Sequence, residues 1–126
     1  MNFKPIIHIL RSRATPEQMR QMLESLGIYL KLAVDVERNI LAGGGELHYE
    51  CEEALLEEGS NQIEEGSNQS NLWGASWYPN KQMIEYESLI NIRPRDNNRS
   101  IEVQNHEIRE KIREIVQNLL GNVPWQ

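Results

Sequence analysis

The sequence predicts an α+β fold, a largely antiparallel sheet of about five strands built from two hairpins and an N-terminal strand, with helices mainly on one face. Two segments alternate apolar and polar residues on either side of turn sequences, and two others repeat apolar residues at helical spacing behind capping residues. The elements follow in the order strand, helix, hairpin, short helix, hairpin, helix. With 126 residues, 39% hydrophobic and 25% charged, the chain has room for a single domain over residues 1–126.

Lys4 to Leu10 is rich in β-branched residues and suits an opening strand, in which His8 reads as structural. Next, "TPEQMRQMLESLG" places Thr15 as N-cap, Pro16 at the first helical position and Gln18 where its side chain reaches back to the cap. Met19, Met22, Leu23 and Leu26 form one apolar stripe, and Gly27 ends the helix. From Leu30 to Val36 apolar residues alternate with Lys31, Ala33, Asp35 and Glu37, and Arg38-Asn39 offers a two-residue turn. Counting outward from that turn sets Val36 opposite Leu41, Asp35 opposite Ala42, Lys31 opposite Glu46 and Tyr29 opposite His48. One face then holds the apolar set, and the other gathers Tyr29, Lys31, Asp35, Glu46 and His48.

Cys51, Ala54 and Leu55 share one face of a short helix that Gly59 can cap. A second hairpin turns at Pro79-Asn80-Lys81-Gln82, with Trp73 and Trp77 on one side of its first strand and Ile84, Tyr86, Ser88, Ile90 and Ile92 on one face of its second. The last helix starts behind Asn105, buries Ile108, Ile112, Ile115, Val116 and Leu119, and ends at Gly121. Helices gathered on one face leave the other open, and that is where the polar hairpin residues emerge.

Net charge of −6 and a pI near 5.1 set up a field that repels nucleic-acid backbones and anionic membranes. A single cysteine forms no internal disulfide, no export leader is expected before the first strand, and no apolar run approaches the ~20 residues of a membrane span. The expectation is a cytoplasmic protein without membrane or nucleic-acid partners. Trp125 on the tail after the last helix suggests a homodimer contact.

Two clusters carry chemistry. In "GGGELH", Glu46 and His48 lie two apart on a strand and point the same way, so with Lys31 they are the candidate catalytic groups. Glu46, His48 and Asp35 are also a weak candidate metal set, far from any zinc signature in spacing. The alternative is a wet sheet surface on which Glu46 pairs with Lys31. In "NIRPRDNNRS", Arg93, Arg95 and Arg99 gather in one loop with Asn98, a candidate grip for an anionic ligand. The competing reading pairs these arginines with surrounding glutamates and leaves the asparagines to shape a turn. Cys51, flanked by Glu50, Glu52 and Glu53, is a poor nucleophile.

The stretches "AVDVERNILAGGGELHYECEEALLEEGS", "NLWGASWYP" and "ESLINIRPRDNNRS" resemble a family of small bacterial and archaeal proteins known only as domain of unknown function 5674. The resemblance runs from the first helix to the last and supplies no activity, cofactor or catalytic residue. It implies that one copy in "EEGSNQIEEGSNQS", residues 57–70, is an extra seven residues. Gly59 inside a continued helix costs about 1 kcal/mol, so a stop there is favoured. Gly59 and Gly66 offer the same capping text, so helix and loop can exchange registers, with Leu56 and Ile63 competing for one apolar site. The reading that follows is a small binding or regulatory domain for an anionic small molecule or protein partner, with a metal-assisted hydrolase using Glu46 and His48 as the alternative.

Overall fold

Alternation along the strand segments and caps around the helical ones resolve into five strands and three α-helices among the residues described, 4–58 and 66–126 of a computed structural model. The strands are β1 (His8–Leu10), β2 (Leu30–Asp35), β3 (Ile40–Gly45), β4 (Leu72–Tyr78) and β5 (Met83–Glu85). They form one sheet in the order β1-β3-β2-β4-β5 with every neighbour antiparallel. This is the α+β architecture the sequence predicts. The helices are α1 (Pro16–Leu23), α2 (His48–Glu58) and α3 (His106–Leu120).

Local sequence explains the helix ends. Thr15 Oγ1 accepts from Gln18 N at 3.1 Å while Gln18 Oε1 accepts from Thr15 N at 2.9 Å, a reciprocal capping box. Asn105 Oδ1 accepts from Ile108 N at 3.0 Å at the start of α3. Met19, Met22 and Leu23 of α1 and Ile112, Ile115, Val116 and Leu119 of α3 pack with Leu30, Leu32, Val34, Leu41, Trp73 and Trp77 into the main core on one face of the sheet. Trp125 is half-buried and packs against this same core.

The opposite face is not fully open. Cys51 and Leu55 of α2 pack on Ala33, Ile40, Ala42 and Leu72, so a second, smaller core covers part of it. The cap expected at Gly59 and the competition expected at Ile63 lie outside the described residues.

The first hairpin pairs Asp35 with Ile40 and Val34 with Leu41, two residues away from the register counted from a two-residue turn. The turn takes four residues, 36–39, because Asp35 Oδ1 accepts from both Glu37 N and Arg38 N at 2.9 Å and Asn39 sits at φ +58°. A shift of two keeps each side chain on its expected face. Beyond Gly43 the register slips again: Leu32 pairs with Gly43 but Lys31 with Gly45. Gly44 makes that bulge possible at φ +111°, where a Cβ would lie 2.2 Å from Ile6 O. The strand therefore ends at Gly45, and Glu46 and His48 are not strand neighbours.

The second hairpin turns at residues 79–82 as expected, with Tyr78 opposite Met83, but β5 ends at Glu85 instead of running to Ile92. The outer edge of β4 at Gly74 is completed by a side chain. Gly74 N donates to Asn91 Oδ1 at 2.7 Å and Asn91 Nδ2 donates to Gly74 O at 3.0 Å, so one amide plays the part of a strand partner. Asn91 Nδ2 also reaches Ile101 O at 3.0 Å. Gly74 is required by this approach, because a Cβ there would lie 2.4 Å from Ser88 Cβ. Asn91→Ala strands the Gly74 amide and carbonyl in the interior, each at ~1–3 kcal/mol. Urea unfolding of that variant should show a loss of about 3 kcal/mol, and a loss below about 0.5 kcal/mol would contradict this role.

Candidate functional site

On the α2 face, beyond the first turn of that helix, the sheet carries a groove of about 470 Å³. Tyr29 and Lys31 from the start of β2 and Ser76 and Tyr78 from β4 form its floor. Leu47, His48 and Tyr49 from the start of α2 make one wall. The other comes from Glu85, Glu87, the turn Ser88–Ile90 and Ile101. The α2 wall is set by Glu50 Oε1, which accepts from Glu46 N and Leu47 N at 2.9 Å and so caps the helix from within. The opposite wall hangs from Asn91.

The groove is apolar at its rim and polar at its floor. Leu47, Tyr49, Leu89 and Ile101 are exposed, Leu89 to 78%, an arrangement that marks interaction sites on soluble domains. Tyr29 and Tyr78 stack across β2 and β4 with ring centroids 5.1 Å apart and planes 7° from parallel. Burial, then the Glu85 carboxylate, raises the Tyr78 phenol above its ordinary value. His48 Nε2 lies 3.0 Å from Ala75 O and 3.5 Å from Ser76 Oγ. A carbonyl only accepts, so Nε2 carries the proton and Nδ1 is left as an acceptor. Burial lowers the His48 pKa to about 4, with the Ala75 bond opposing and the Lys31 charge adding to the shift. At neutral pH the imidazole is uncharged, and Lys31 is the cation of the floor.

The candidate residues separate. His48 and Lys31 line the groove, whereas Glu46 is exposed in the bend before α2 and is absent from the lining. Glu46 and His48 are not the two strand neighbours expected, because the bulge and the Glu50 cap end the strand first. Asp35 is buried at the far end of β2, its Oδ1 holding the turn and its Oδ2 accepting from Ser67 Oγ at 2.6 Å. No group of three or more His, Cys, Asp or Glu placed to hold a metal ion occurs among the described residues. The Cys51 thiol donates to Lys31 O at the bulge, 3.4 Å away, and burial foremost pushes its pKa up to about 11.

The arginine loop divides in the same way. Arg93 lies with its guanidinium 3.9 Å from the centre of the Trp73 ring, Nη1 donating to Gln69 O at 2.5 Å and Nε 3.4 Å from Asp96 Oδ2. Burial raises the nearby Glu52 carboxyl against the pull of Arg93. Asn98 is buried, with Nδ2 donating to Asn91 O, Ser100 O and Glu102 O and Oδ1 accepting from Gln104 N. Its amide is committed to the loop's own backbone and is not available to a ligand. Arg95 is exposed beside Arg93 in a shallow polar hollow with Asn68, Gln69 and Ser70, while Arg99 lies outside it and reaches Asn97 Oδ1 at 3.5 Å. The groove and this hollow are separate pockets.

Sequence reasoning missed Ser76, Tyr78 and the wall from Ser88 to Ile90 as site residues. The signal for the floor was a second pairing: counting β2 against β4 sets Tyr29 opposite Tyr78.

A family model described as a protein of unknown function (DUF5674) matches residues 8–119. Comparison with curated proteins and with solved structures gives no match. No helix among the described residues is long and apolar enough to cross a membrane.

Because His48 titrates lower in the folded chain than in the unfolded one, its contribution to stability is complete above about pH 6.5 and is lost as pH falls toward about 4. His48→Gln should flatten the pH dependence of the urea midpoint between pH 7 and 4.5. An unchanged slope would contradict the assignment.

Proposed function

The chain belongs to the DUF5674 family of proteins of unknown function, and from its groove we propose that it is a binding domain for a small amphipathic anion. The observation that carries this reading is the half-buried Lys31 on the floor of a groove whose rim is Leu47, Tyr49, Leu89 and Ile101. An apolar ligand body gains ~25 cal/mol for each Å² withdrawn from water against that rim. An anionic group on the same molecule meets Lys31, which has no carboxylate within salt-bridge distance among the described residues. Neutral His48 adds an acceptor and the stacked tyrosines add apolar ring surface. Glu85 and Glu87 lie at one side of the groove, so like-charge repulsion favours a ligand with one anionic end over a polyanion such as a nucleotide triphosphate. The volume falls within the range of small-molecule sites, ~300–1,000 Å³.

Binding rather than acid–base turnover fits this arrangement, because the carboxylate named for catalysis, Glu46, stands outside the groove. The test is a titration of ¹⁵N-labelled protein with a panel of aromatic and aliphatic monocarboxylates. Shifts are expected at Lys31, His48, Ser76, Leu89 and Ile101, and Lys31→Met should weaken binding by about tenfold or more. Shifts confined to residues 93–99, or affinity unchanged in Lys31→Met, would overturn this reading in favour of the arginine loop.

A further inference from the structure

The register of the sheet gives the groove two poles of opposite charge. Lys31 pairs with Ser76 across β2 and β4, and Ser76 pairs with Glu85 across β4 and β5. Residues paired in this way share a face, so the three side chains stand in one row on the groove floor and its wall. Glu87 follows two residues after Glu85 on the same wall, and both carboxylates are exposed.

Neither pole is neutralised from within the chain. Lys31 has no carboxylate, and Glu85 and Glu87 have no lysine or arginine, within salt-bridge distance among the described residues. The Tyr78 phenol lies beside the wall carboxylates, and burial first and Glu85 next raise it above its ordinary value. A ligand with an anionic end alone would answer Lys31 and leave the two carboxylates facing it without a partner. We propose that the ligand of the groove is a small zwitterion, an apolar α-amino acid, held by its carboxylate at Lys31 and by its ammonium at Glu85 and Glu87. This deepens the reading of the groove as an anion site and rests on it, since Lys31 still receives the anionic end.

Spacing narrows the class of zwitterion. Lys31 and Glu85 stand two strands apart, which puts their Cα atoms about 10 Å from each other. Side chains rise roughly perpendicular to a sheet, and a charged hydrogen bond at each end takes up about 3 Å, so the ligand's own charges lie roughly 4 Å apart. An ammonium and a carboxylate on one carbon meet that spacing. Each further residue of a peptide adds about 3.5 Å and carries one terminus beyond the row. Ser76, midway between the poles, has a hydroxyl that can donate to the carboxylate or accept from the ammonium. The ligand's side chain is left to the apolar rim, Leu47 and Tyr49 on one side and Leu89 and Ile101 on the other.

Pairs of ligands that differ only in the ammonium test this. L-phenylalanine against 3-phenylpropanoate, and L-leucine against 4-methylpentanoate, are titrated into the ¹⁵N-labelled full chain at pH 7. Each amino acid should bind about tenfold or more tighter than its carboxylate, with shifts at Glu85 and Glu87 as well as at Lys31. In the double variant Glu85→Gln, Glu87→Gln that preference should shrink to about twofold or less, whereas Lys31→Met should weaken both members of each pair by about tenfold. Carboxylates that bind in the groove as tightly as the amino acids, or a preference that survives the double substitution, would overturn the inference and leave the anion site standing. An absence of shifts in the groove with either kind of ligand would overturn both.

Discussion

Every backbone group along the outer edge of β4 needs a partner, yet β5 covers only Ser76 to Tyr78. The groups at Gly74 lie in the interior, where an unpaired amide or carbonyl costs several times what a satisfied one contributes. Asn91 meets both with one side-chain amide. Much else follows from this. Position 74 must lack a side chain, Ser88 presses into the space left free, and the segment from Ser88 to Ile90 is drawn over the α2 face of the sheet. Asn98 then ties Asn91 to Ser100 and Glu102, so the segment returning to α3 is held as well, and Ile101 is fixed at the groove's rim. One wall of the groove is therefore a by-product of completing a sheet edge.

The charges sort by the same logic of burial. Arg93 stacks on Trp73 and reaches Gln69, stapling the end of the repeat to the loop after β5, and it lies mostly out of water. Arg95 remains exposed. Asp35, at the end of β2, is wholly buried and draws its bonds from the hairpin turn and from Ser67. At the other end of β2, Lys31 faces the groove. A single strand thus carries a structural carboxylate at one end and a groove-facing cation at the other. The loss of the His48 charge through burial leaves that cation without a second positive neighbour on the floor.

Local signals were legible in the sequence and remote ones were not. The capping box at Thr15 and Gln18 and the cap at Asn105 each involve residues three apart, and spacing alone reveals them. The faces of β2 and β3 were also legible, because a register error of two leaves side-chain direction unchanged. The place where β3 ends depended on Gly44 meeting Ile6 and on Glu50 turning back to cap α2, and neither contact is written in the alternation of apolar residues. Asn91 and Asn98 look like turn formers in "INIRPRDNN". Their partners, Gly74 and the carbonyls of Ser100 to Glu102, become neighbours only once the sheet exists, so Asn98 reads as free for a ligand, and Asn91 goes unremarked, when both are spent on the backbone. The groove joins residues from five separate segments, and no single stretch announces it.

Amide hydrogen exchange at Gly74 tests most directly whether a side chain completes this sheet. If Asn91 holds the edge as a strand would, the Gly74 amide exchanges only through global unfolding, as slowly as the amides of β2 and β4 that face a backbone partner. Exchange at Gly74 orders of magnitude faster than at those amides, in the native protein without ligand, would contradict the account of both the sheet edge and the groove wall that hangs from it.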